Sequence, residues 1–281
     1  MPTCRNHHIL FGSGVEHPPF QSHSLHTHER CEIFCCFRGN GYYITEGTRN
    51  RLEPGKIFLM RPGELHKLDL TGDEPKESLA FHFDCALVDS IDPERKLLAP
   101  FFDRPLGMYN TYDHSVVAPT EIYTLFRKMR EFEGDNDESC IYNTALLFPV
   151  LAELKKLFDI KAYDASGKSS GLMHAVICYV NENLALELTP EILCEKFHIS
   201  RAQLDRNFKN ATGSTAWVYI TTKRLLQARA YIGEGMRITD AAAACGFRDY
   251  STFYRAYLRY FETAPSTPVL TEAIPATGFR G

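Results

Sequence analysis

The pattern of apolar residues changes character once along this chain, near residue 119. From about residue 20 to residue 85, short apolar and aromatic runs such as those at 33–37 and 56–60 are broken every few residues by Gly or Pro, which is typical of a β-sandwich or barrel. From residue 119 to about residue 263, apolar residues recur with helical spacing instead. With a length of 281 residues, this change predicts a multidomain α and β chain, its β-rich unit first.

Breaks in the periodicity predict five segments. Residues 1–118 are expected to form a small β-barrel, and residues 119–158 a pair of flanking helices whose apolar stripe is mostly core and also a candidate dimer interface. The sequence DIKAYDASGKSSG at 159–171 loses periodicity, so the interdomain linker is placed there. Residues 172–263 are expected to be helical throughout, and residues 264–281, with three prolines, to form a tail.

Two stretches of the helical half have the form helix, tight turn, helix. In TPEILCEKFHISRAQLDRNFKNATG (189–213), Thr189 is a favourable N-cap, Pro190 a favourable first helical residue, and Ser200 is placed to cap the next helix. In ITDAAAACGFRDYSTFYRAY (238–257), an alanine-rich helix, a glycine and a second helix repeat the unit about fifty residues later. The repetition predicts two helix-turn-helix units, whereas a plain helical bundle would explain only the apolar stripes.

Positive charge is concentrated in the helical half. The interval 196–229 contains seven Lys and Arg residues and a single acid, Asp205, although the whole chain carries a net charge of −4. A local excess of positive charge is typical of a surface that faces a polyanion such as DNA, and a solvated surface is the alternative interpretation.

The motifs ISRAQLDRNFKNATG, KRLLQARAYI and ITDAAAACGFRDYSTFYRAYLRYF resemble, in order, spacing and residue type, the double helix-turn-helix domain of the AraC/XylS regulators. The resemblance implies an all-α domain in which a long helix, at about 215–232, holds two reading helices about one DNA turn apart. It also implies a set of side chains that contact double-stranded DNA, namely Arg201, Ala202, Gln203, Arg206, Lys209, Tyr250, Ser251 and Arg255.

Two kinds of DNA contact are expected from this set. The guanidinium of Arg206 is a candidate for bidentate contact with a guanine, and Lys209 and Lys223 are expected to contact the DNA backbone. The chain departs from the family near its end, where Glu262 stands in place of the usual Gly and Pro268-Val269 in place of the usual Tyr-Arg. The helix that usually closes this end is therefore expected to be short or missing.

The sequence LHTHERCEIF (25–34) places two imidazoles and a carboxylate within seven residues of a predicted strand. On an extended strand His26, His28 and Glu32 would face the same side. Together with His66, at the end of GKIFLMRPGELH, they resemble the two motifs of the cupins, which are small double-sheet barrels with a site in the mouth. Resemblance to the metal-binding cupins implies that His26, His28, Glu32 and His66 hold a divalent metal such as Zn, Ni, Mn or Fe.

The alternative is a polar cavity that binds an organic effector without any metal. His82, in the alternation Phe81-His82-Phe83, either lines such a cavity or lies in the core. The candidate effector-binding residues are therefore His26, His28, Glu32, His66 and His82.

These features predict a sequence-specific transcriptional regulator, expected to be an activator, that responds to a small molecule such as a sugar or a related metabolite. The expected partners are double-stranded DNA, the effector, RNA polymerase and a second copy of the chain. Two alternatives remain open: a metal-dependent cupin enzyme with an accessory helical domain, and an effector-independent regulator whose barrel only dimerises. Neither an apolar run of about 18 residues nor the apolar core of a signal peptide is present, so a cytoplasmic location without membrane contact is expected.

Overall fold

The structure, a computed structural model, describes residues 9–20, 25–134, 136–164 and 171–267. The strands of the N-terminal domain pair antiparallel in a five-stranded sheet of order β1-β7-β2-β5-β8 and a three-stranded sheet of order β4-β3-β6. Their bounds are β1 Ile9–Glu16, β2 Cys31–Arg38, β3 Gly41–Thr45, β4 Thr48–Arg51, β5 Lys56–Met60, β6 His66–Leu70, β7 Lys76–Phe83 and β8 Thr111–Tyr112. The cupin-like double-sheet architecture is confirmed, although no pairing between these described strands joins the two sheets into a closed barrel.

Strand β2 shows how the two faces of the large sheet are used. Successive side chains of a strand point to opposite faces. Phe34 and Cys36 pack with Tyr43 and Leu68 of the small sheet, and Ile33 packs in a second core on the opposite face. Because both faces are covered, the first six residues of β2 are all buried, which explains its continuous apolar run.

Helices cover the outer face of the five-stranded sheet. The core there joins Phe81 of the sheet to Phe126, Leu147 and Leu151 of two long helices. The helical elements of this domain are α1 Cys85–Asp89, a 3-10 helix Lys96–Leu98, α2 Ala99–Phe102, α3 His114–Val117, α4 Ile122–Glu131 and α5 Asp137–Asp164. The pair expected at 119–158 corresponds to α4 and α5.

The linker predicted at 159–171 begins too early, because α5 continues to Asp164. The apolar stripe of α5 ends at Phe158, and the next two residues are exposed, so the last turns of the helix carry no periodic signal. An ion pair between Lys155 and Asp159, one turn apart, supports the helix there. The remainder of the predicted linker, residues 165–170, lies outside the described residues.

Strand β1 was not expected from the sequence. Gly12-Ser13-Gly14 interrupts its apolar pattern, and glycine weakens the signal of a strand. The strand nevertheless pairs with β7 along its whole length and buries Ile9 and Phe11 against the helices. Long-range pairing therefore overrides a weak local preference.

The C-terminal domain consists of helices arranged around two cores. The long helix α9 takes part in both, packing Tyr219 and Ile220 in one core and Leu225 and Ala228 in the other. The bounds are α6 Leu172–Glu182, α7 Pro190–Phe197, α8 Arg201–Thr212, α9 Ala216–Gly233, α10 Ile238–Ala244 and α11 Tyr250–Phe261. Two helix-turn-helix units, α7–α8 and α10–α11, thus flank α9, as the repeated pattern predicts.

The ends of these helices follow the capping pattern of the sequence. The side chains of Thr189 and Ser200 accept hydrogen bonds from backbone N–H groups at the starts of α7 and α8. Glu262 follows α11 with φ 58°, a left-handed conformation in which glycine is favoured, and residues 262–267 are not helical. No helix in the described parts of the chain is both long enough and apolar enough to cross a membrane.

Candidate functional site

Three histidine rings converge on one carboxylate between the two sheets. Glu32 lies in β2, His82 lies beside it on β7 in register, and His66 begins β6 of the opposite sheet. The Nε2 atoms of His28, His66 and His82 lie 2.9, 3.2 and 3.3 Å from the same atom, Glu32 Oε2. We call these four residues the histidine cluster.

Burial and mutual contact set the charges of the cluster. Burial by itself would raise the pKa of Glu32, but the charge of His82 and contacts with His28 and His66 hold that pKa well below its ordinary value. Burial lowers the pKa of His28 to about 4, although its hydrogen bond with Glu32 acts in the opposite direction. For His66 burial would lower the pKa, and contact with the Glu32 carboxylate raises it. Near neutral pH Glu32 is ionised and His28 is a neutral imidazole, the form that ligates metals.

The predicted metal set is only partly brought together. The backbone of His26 pairs with that of His66, and the two rings lie edge to face with centroids 4.4 Å apart. Among the described residues, the group whose ligand atoms lie within 4.8 Å of one another is His28, Glu32 and His82. Residues 27–30 are not part of a strand, so the alternation that would align His26 with Glu32 does not apply.

The donor set of the cluster fits a divalent transition metal. Imidazole nitrogens and a carboxylate oxygen suit Zn, Fe, Ni or Mn. The buried Nε2 of His66 makes no hydrogen bond of good geometry within the described chain, whereas buried polar atoms are normally partnered. The Tyr43 hydroxyl donates to the second oxygen of Glu32 over 3.2 Å, which fixes the orientation of the carboxylate as an outer-shell partner would.

A cavity of about 460 Å³ opens beside the cluster. Three of the predicted effector-binding residues, His26, Glu32 and His82, line it, whereas His28 and His66 are not among its lining residues. The rest of its lining mixes hydroxyl, charged and aromatic side chains, among them Ser13, Lys76, Ser78, Phe34 and Tyr43. This volume and lining suit a small polar molecule.

Helix α8 presents the predicted base-contacting residues to solvent. Leu204 and Phe208 are fully buried, so the opposite face of the helix is exposed. That exposed face carries Arg201, Ala202, Gln203, Arg206 and Lys209. Arg201 is held by ion pairs with Asp205 and Glu191, whereas Arg206 makes no ion pair with any described residue.

Helix α11 repeats this arrangement. Phe253 and Tyr257 are buried, and the predicted contact residues Tyr250, Ser251 and Arg255 are exposed. Asp249 caps the helix by accepting a hydrogen bond from the N–H of Thr252 over 2.8 Å. Both helices therefore present a matching exposed face with an accessible N-terminal end, and α8 also contacts β3 and β4 of the N-terminal domain.

Comparison with known families agrees with both halves of this arrangement. A family model described as an AraC-like ligand binding domain matches residues 15–133, and one described as a helix-turn-helix domain matches residues 193–268. The HTH-type transcriptional activator RhaS of Escherichia coli O139:H28 (strain E24377A / ETEC) is 24% identical over 247 residues, which cover 85% of each chain. The chain belongs to the AraC family of transcriptional regulators. The resemblance seen in the sequence is thereby confirmed.

Solved structures show limited similarity to the chain. ToxT from Vibrio cholerae O395 is 15% identical, covers 91% of this chain and 95% of its own, and gives a TM-score of 0.36. The DNA-binding domain of AdpA, solved with a target DNA, is 27% identical, covers 35% of this chain and 88% of its own, and gives a TM-score of 0.34.

In this AraC-family chain, Lys223 does not occupy the DNA-facing position expected for it. Its side chain is 11% exposed, and its Nζ donates to Glu46 Oε1 of the N-terminal domain over 2.7 Å. The hydroxyl of Tyr219 also donates to Glu46. Burial, followed by the charge of Glu46, raises the pKa of Tyr219 well above its ordinary value, so the hydroxyl keeps its proton. Lys223 therefore joins the domains rather than binding DNA.

Sequence reasoning missed Glu46, which lies in the turn between β3 and β4. Its carboxylate is buried and accepts from Tyr219, Lys223 and the backbone N–H of Leu65. In the sequence, Glu46 followed by Gly47 is simply a turn. Its partners in α9 are more than 170 residues away, so no local pattern could have found them.

Proposed function

We propose that this chain is a transcriptional activator whose N-terminal domain binds a small polar effector in the cavity beside the histidine cluster. The observation that carries the proposal is the short path from the cavity to the DNA-binding domain. His66 belongs to the cluster, and the preceding residue, Leu65, buries its side chain in the core of the C-terminal domain. The N–H of Leu65 donates to Glu46 over 2.8 Å, and Glu46 in turn binds Lys223.

This path gives an effector a physical means of acting on the DNA-binding domain. A ligand shifts an equilibrium only by binding two arrangements with different affinity. An effector that contacts Glu32 or His82 changes the surroundings of His66, and a movement of His66 also moves Leu65 and its hydrogen bond to Glu46. Glu46 is held by two residues of α9, the helix that lies between the two helix-turn-helix units. A shift of Glu46 therefore reaches both units together.

The lining of the cavity favours an effector with several hydroxyl or carbonyl oxygens, such as a sugar or a related metabolite. Glu32, Tyr43, Lys76 and Ser78 all line the cavity and bring polar groups to it. The ring of Phe34 offers an apolar surface for the carbon face of such a molecule. A few placed polar groups within a partly apolar cavity are what orients a small ligand.

A divalent metal held by His28, Glu32, His66 and His82 is part of the proposal. When bound, the metal would offer an oxygen of the effector a Lewis-acidic contact. The chain's own residues orient that site: Tyr43 fixes Glu32, and the backbone carbonyl of Glu64 contacts Nδ1 of His66 over 2.8 Å. The second contact fixes which nitrogen of His66 faces the cluster.

The proposed regulator acts as a homodimer that recruits RNA polymerase. On α5, exposed and half-exposed apolar residues recur at i, i+4, i+7 and i+11, opposite the buried stripe. We define them as the outer stripe: Ile141, Ala145, Phe148 and Ala152. Such a stripe suits packing against a second copy of the same helix.

Binding of the regulator to DNA selected from the source genome, with and without candidate sugars, tests the effector. We expect one compound to change the Kd for DNA by about fivefold or more. Ser78→Leu, which fills the cavity, should abolish that change, whereas Ser90→Leu, an exposed position outside the cavity, should leave it intact. An effector response that survives Ser78→Leu would contradict the assignment of the cavity.

A further inference from the structure

Two cysteine thiols meet behind the histidine cluster. The Sγ atoms of Cys31 and Cys85 lie 3.6 Å apart, although the residues are 54 positions apart in the chain. Cys31 begins β2 and directly precedes Glu32, and Cys85 begins α1 two residues after the last residue of β7. The sequence shows no spacing that would pair them, and only the pairing of β2 with β7 brings them together.

The two thiols differ in access to solvent. Cys31 is fully buried, whereas Cys85 is partly exposed. The residues beside them are also joined, because Arg30 Nε donates to Asp84 Oδ1 over 2.9 Å. One thiol is therefore reachable from solvent, and the other is held against it by the backbone pairing and by this ion pair.

The electrostatic surroundings favour reaction at Cys85. A hydrogen bond from Cys31 lowers the pKa of Cys85, burial opposes this effect, and the charge of Arg95 adds to it. A thiolate is the form of cysteine that attacks oxidants. The outer thiol thus has the character of a nucleophile, and the inner thiol that of a resolving partner.

We propose that Cys31 and Cys85 form a reversible redox site that a peroxide oxidises to a disulfide. The Cys85 thiolate attacks one oxygen of hydrogen peroxide, its O–O bond breaks, and Cys85 becomes a sulfenic acid while hydroxide leaves. The Cys31 sulfur then attacks the sulfenic sulfur, an S–S bond forms, and the hydroxyl leaves as water with the Cys31 proton. In total, two thiols lose two electrons and two protons, and the peroxide is reduced to two waters.

Closure of this bond connects to the cavity through Glu32. The disulfide ties the residue before Glu32 to the start of α1, and the sulfur atoms must approach each other from 3.6 Å to bonding distance, about 2.05 Å. Glu32 contacts three histidines and is joined to Cys31 by one peptide bond. A shift of Cys31 on oxidation therefore also displaces the histidine cluster. The redox state of the pair is then a second input to the site that binds the effector.

Peptide mapping of the full chain tests the proposal. The reduced protein is treated with hydrogen peroxide, its free thiols are blocked with N-ethylmaleimide, and tryptic peptides are sequenced by mass spectrometry. We expect a linked pair of peptides, 31–38 and 77–95, that dithiothreitol separates. Because peptide 31–38 also contains Cys35 and Cys36, fragmentation must locate the link. Because reduction also opens the disulfide that Cys140 forms, the linked pair itself, and not total thiol content, is the readout.

Variants separate the roles of the two thiols. Cys85→Ser should abolish the linked pair, and Cys31→Ser should leave a Cys85 sulfenic acid that dimedone traps. Cys178→Ser, at another partly exposed cysteine, should leave the linked pair unchanged. In the unmodified protein, iodoacetamide should label Cys85 roughly tenfold faster than Cys194. Equal labelling rates, or oxidation of other cysteines without a 31–85 link, would overturn the proposal. Either result would leave the proposed function in DNA binding untouched.

Discussion

At the scale of single residues, His82 and His26 make different contacts near the carboxylate of Glu32. His82 Nε2 lies 3.3 Å from Glu32 Oε2, whereas the ring of His26 packs on His66 at the edge of the cluster. The sequence motif favours His26 as a ligand, and the structure favours His82. The two positions are therefore matched variants for testing the metal.

We expect His82→Ala to lose most of the bound metal and His26→Ala to retain it, because, of these two histidines, His82 is the one whose Nε2 lies beside the shared oxygen of Glu32. Metal content of protein purified without chelator, measured by elemental mass spectrometry, checks this. Equal loss of metal in both variants would show that His26 is also a ligand, as the motif implies. Absence of metal from the unmodified protein would contradict the proposed metal site.

Arg206 and Lys209 are expected to make different kinds of contact with DNA. Both are exposed on α8, but a guanidinium can make two hydrogen bonds to one guanine, whereas an ammonium near a phosphate carries no sequence information. Arg206→Ala should cost about 1–3 kcal/mol at one base position and relax specificity there. Lys209→Ala should weaken binding to all sequences and lower the salt slope by about one. Binding to a panel of single-base variants at several salt concentrations distinguishes these outcomes, and identical profiles for the two variants would be inconsistent with the assignment.

The residues that could be predicted from the sequence are those whose roles depend on near neighbours. The exposed face of α8 follows from Leu204 and Phe208 four residues apart, and the caps follow from single side chains. Glu46 and Cys85 could not be predicted, because their partners lie 173 and 54 residues away and are brought close only by tertiary packing.

At the scale of elements, strongly periodic helices were predictable, and elements defined by pairing were not. The two helix-turn-helix units carry apolar stripes, caps and turn residues that agree with one another. Strand β1 carries a Gly-Ser-Gly interruption, and residues 159 and 160 near the end of α5 are exposed, so neither place has a local signal. Pairing with β7 stabilises the strand, and an exposed ion pair supports the helix.

The outer stripe of α5 makes a prediction at this scale. Ile141→Arg should convert a dimer into a monomer, because it places a charge within an apolar helix contact. Ile160→Arg is the matched control: Ile160 is as exposed on the same helix, at 67% against 66% for Ile141, but lies off the outer stripe. Sedimentation velocity of both variants measures the effect. Dissociation by Ile160→Arg alone would move the interface to the end of the helix, and a monomeric unmodified protein would exclude the dimer.

At the scale of the whole molecule, a buried carboxylate of one domain is neutralised by a lysine of the other. We expect Glu46→Gln and Lys223→Met each to destabilise the protein by about 3–5 kcal/mol, because each leaves a buried charge without its partner. The double variant should cost less than the sum of the two. Glu191→Gln, which breaks an exposed ion pair with Arg201, is the control and should leave the free energy of unfolding almost unchanged, because water screens exposed charges.

Denaturant unfolding measures these free energies, and additive effects at Glu46 and Lys223 would show that the two residues do not interact. The same variants should also weaken the change that an effector causes in DNA affinity, since the Glu46 contact lies on the path from His66 to α9. The exposed faces of α8 and α11 are untouched by both substitutions, so sequence-specific binding itself should persist.

Selection of genomic DNA fragments by the purified full-length chain tests the central claim most directly. Two reading helices held by α9 should enrich fragments with two short conserved elements about one helical turn apart. Enrichment should fall at one element in Arg206→Ala and at the other in Arg255→Ala, because these residues belong to different helices. Failure of the unmodified protein to enrich any sequence at moderate salt would contradict its role as a sequence-specific regulator.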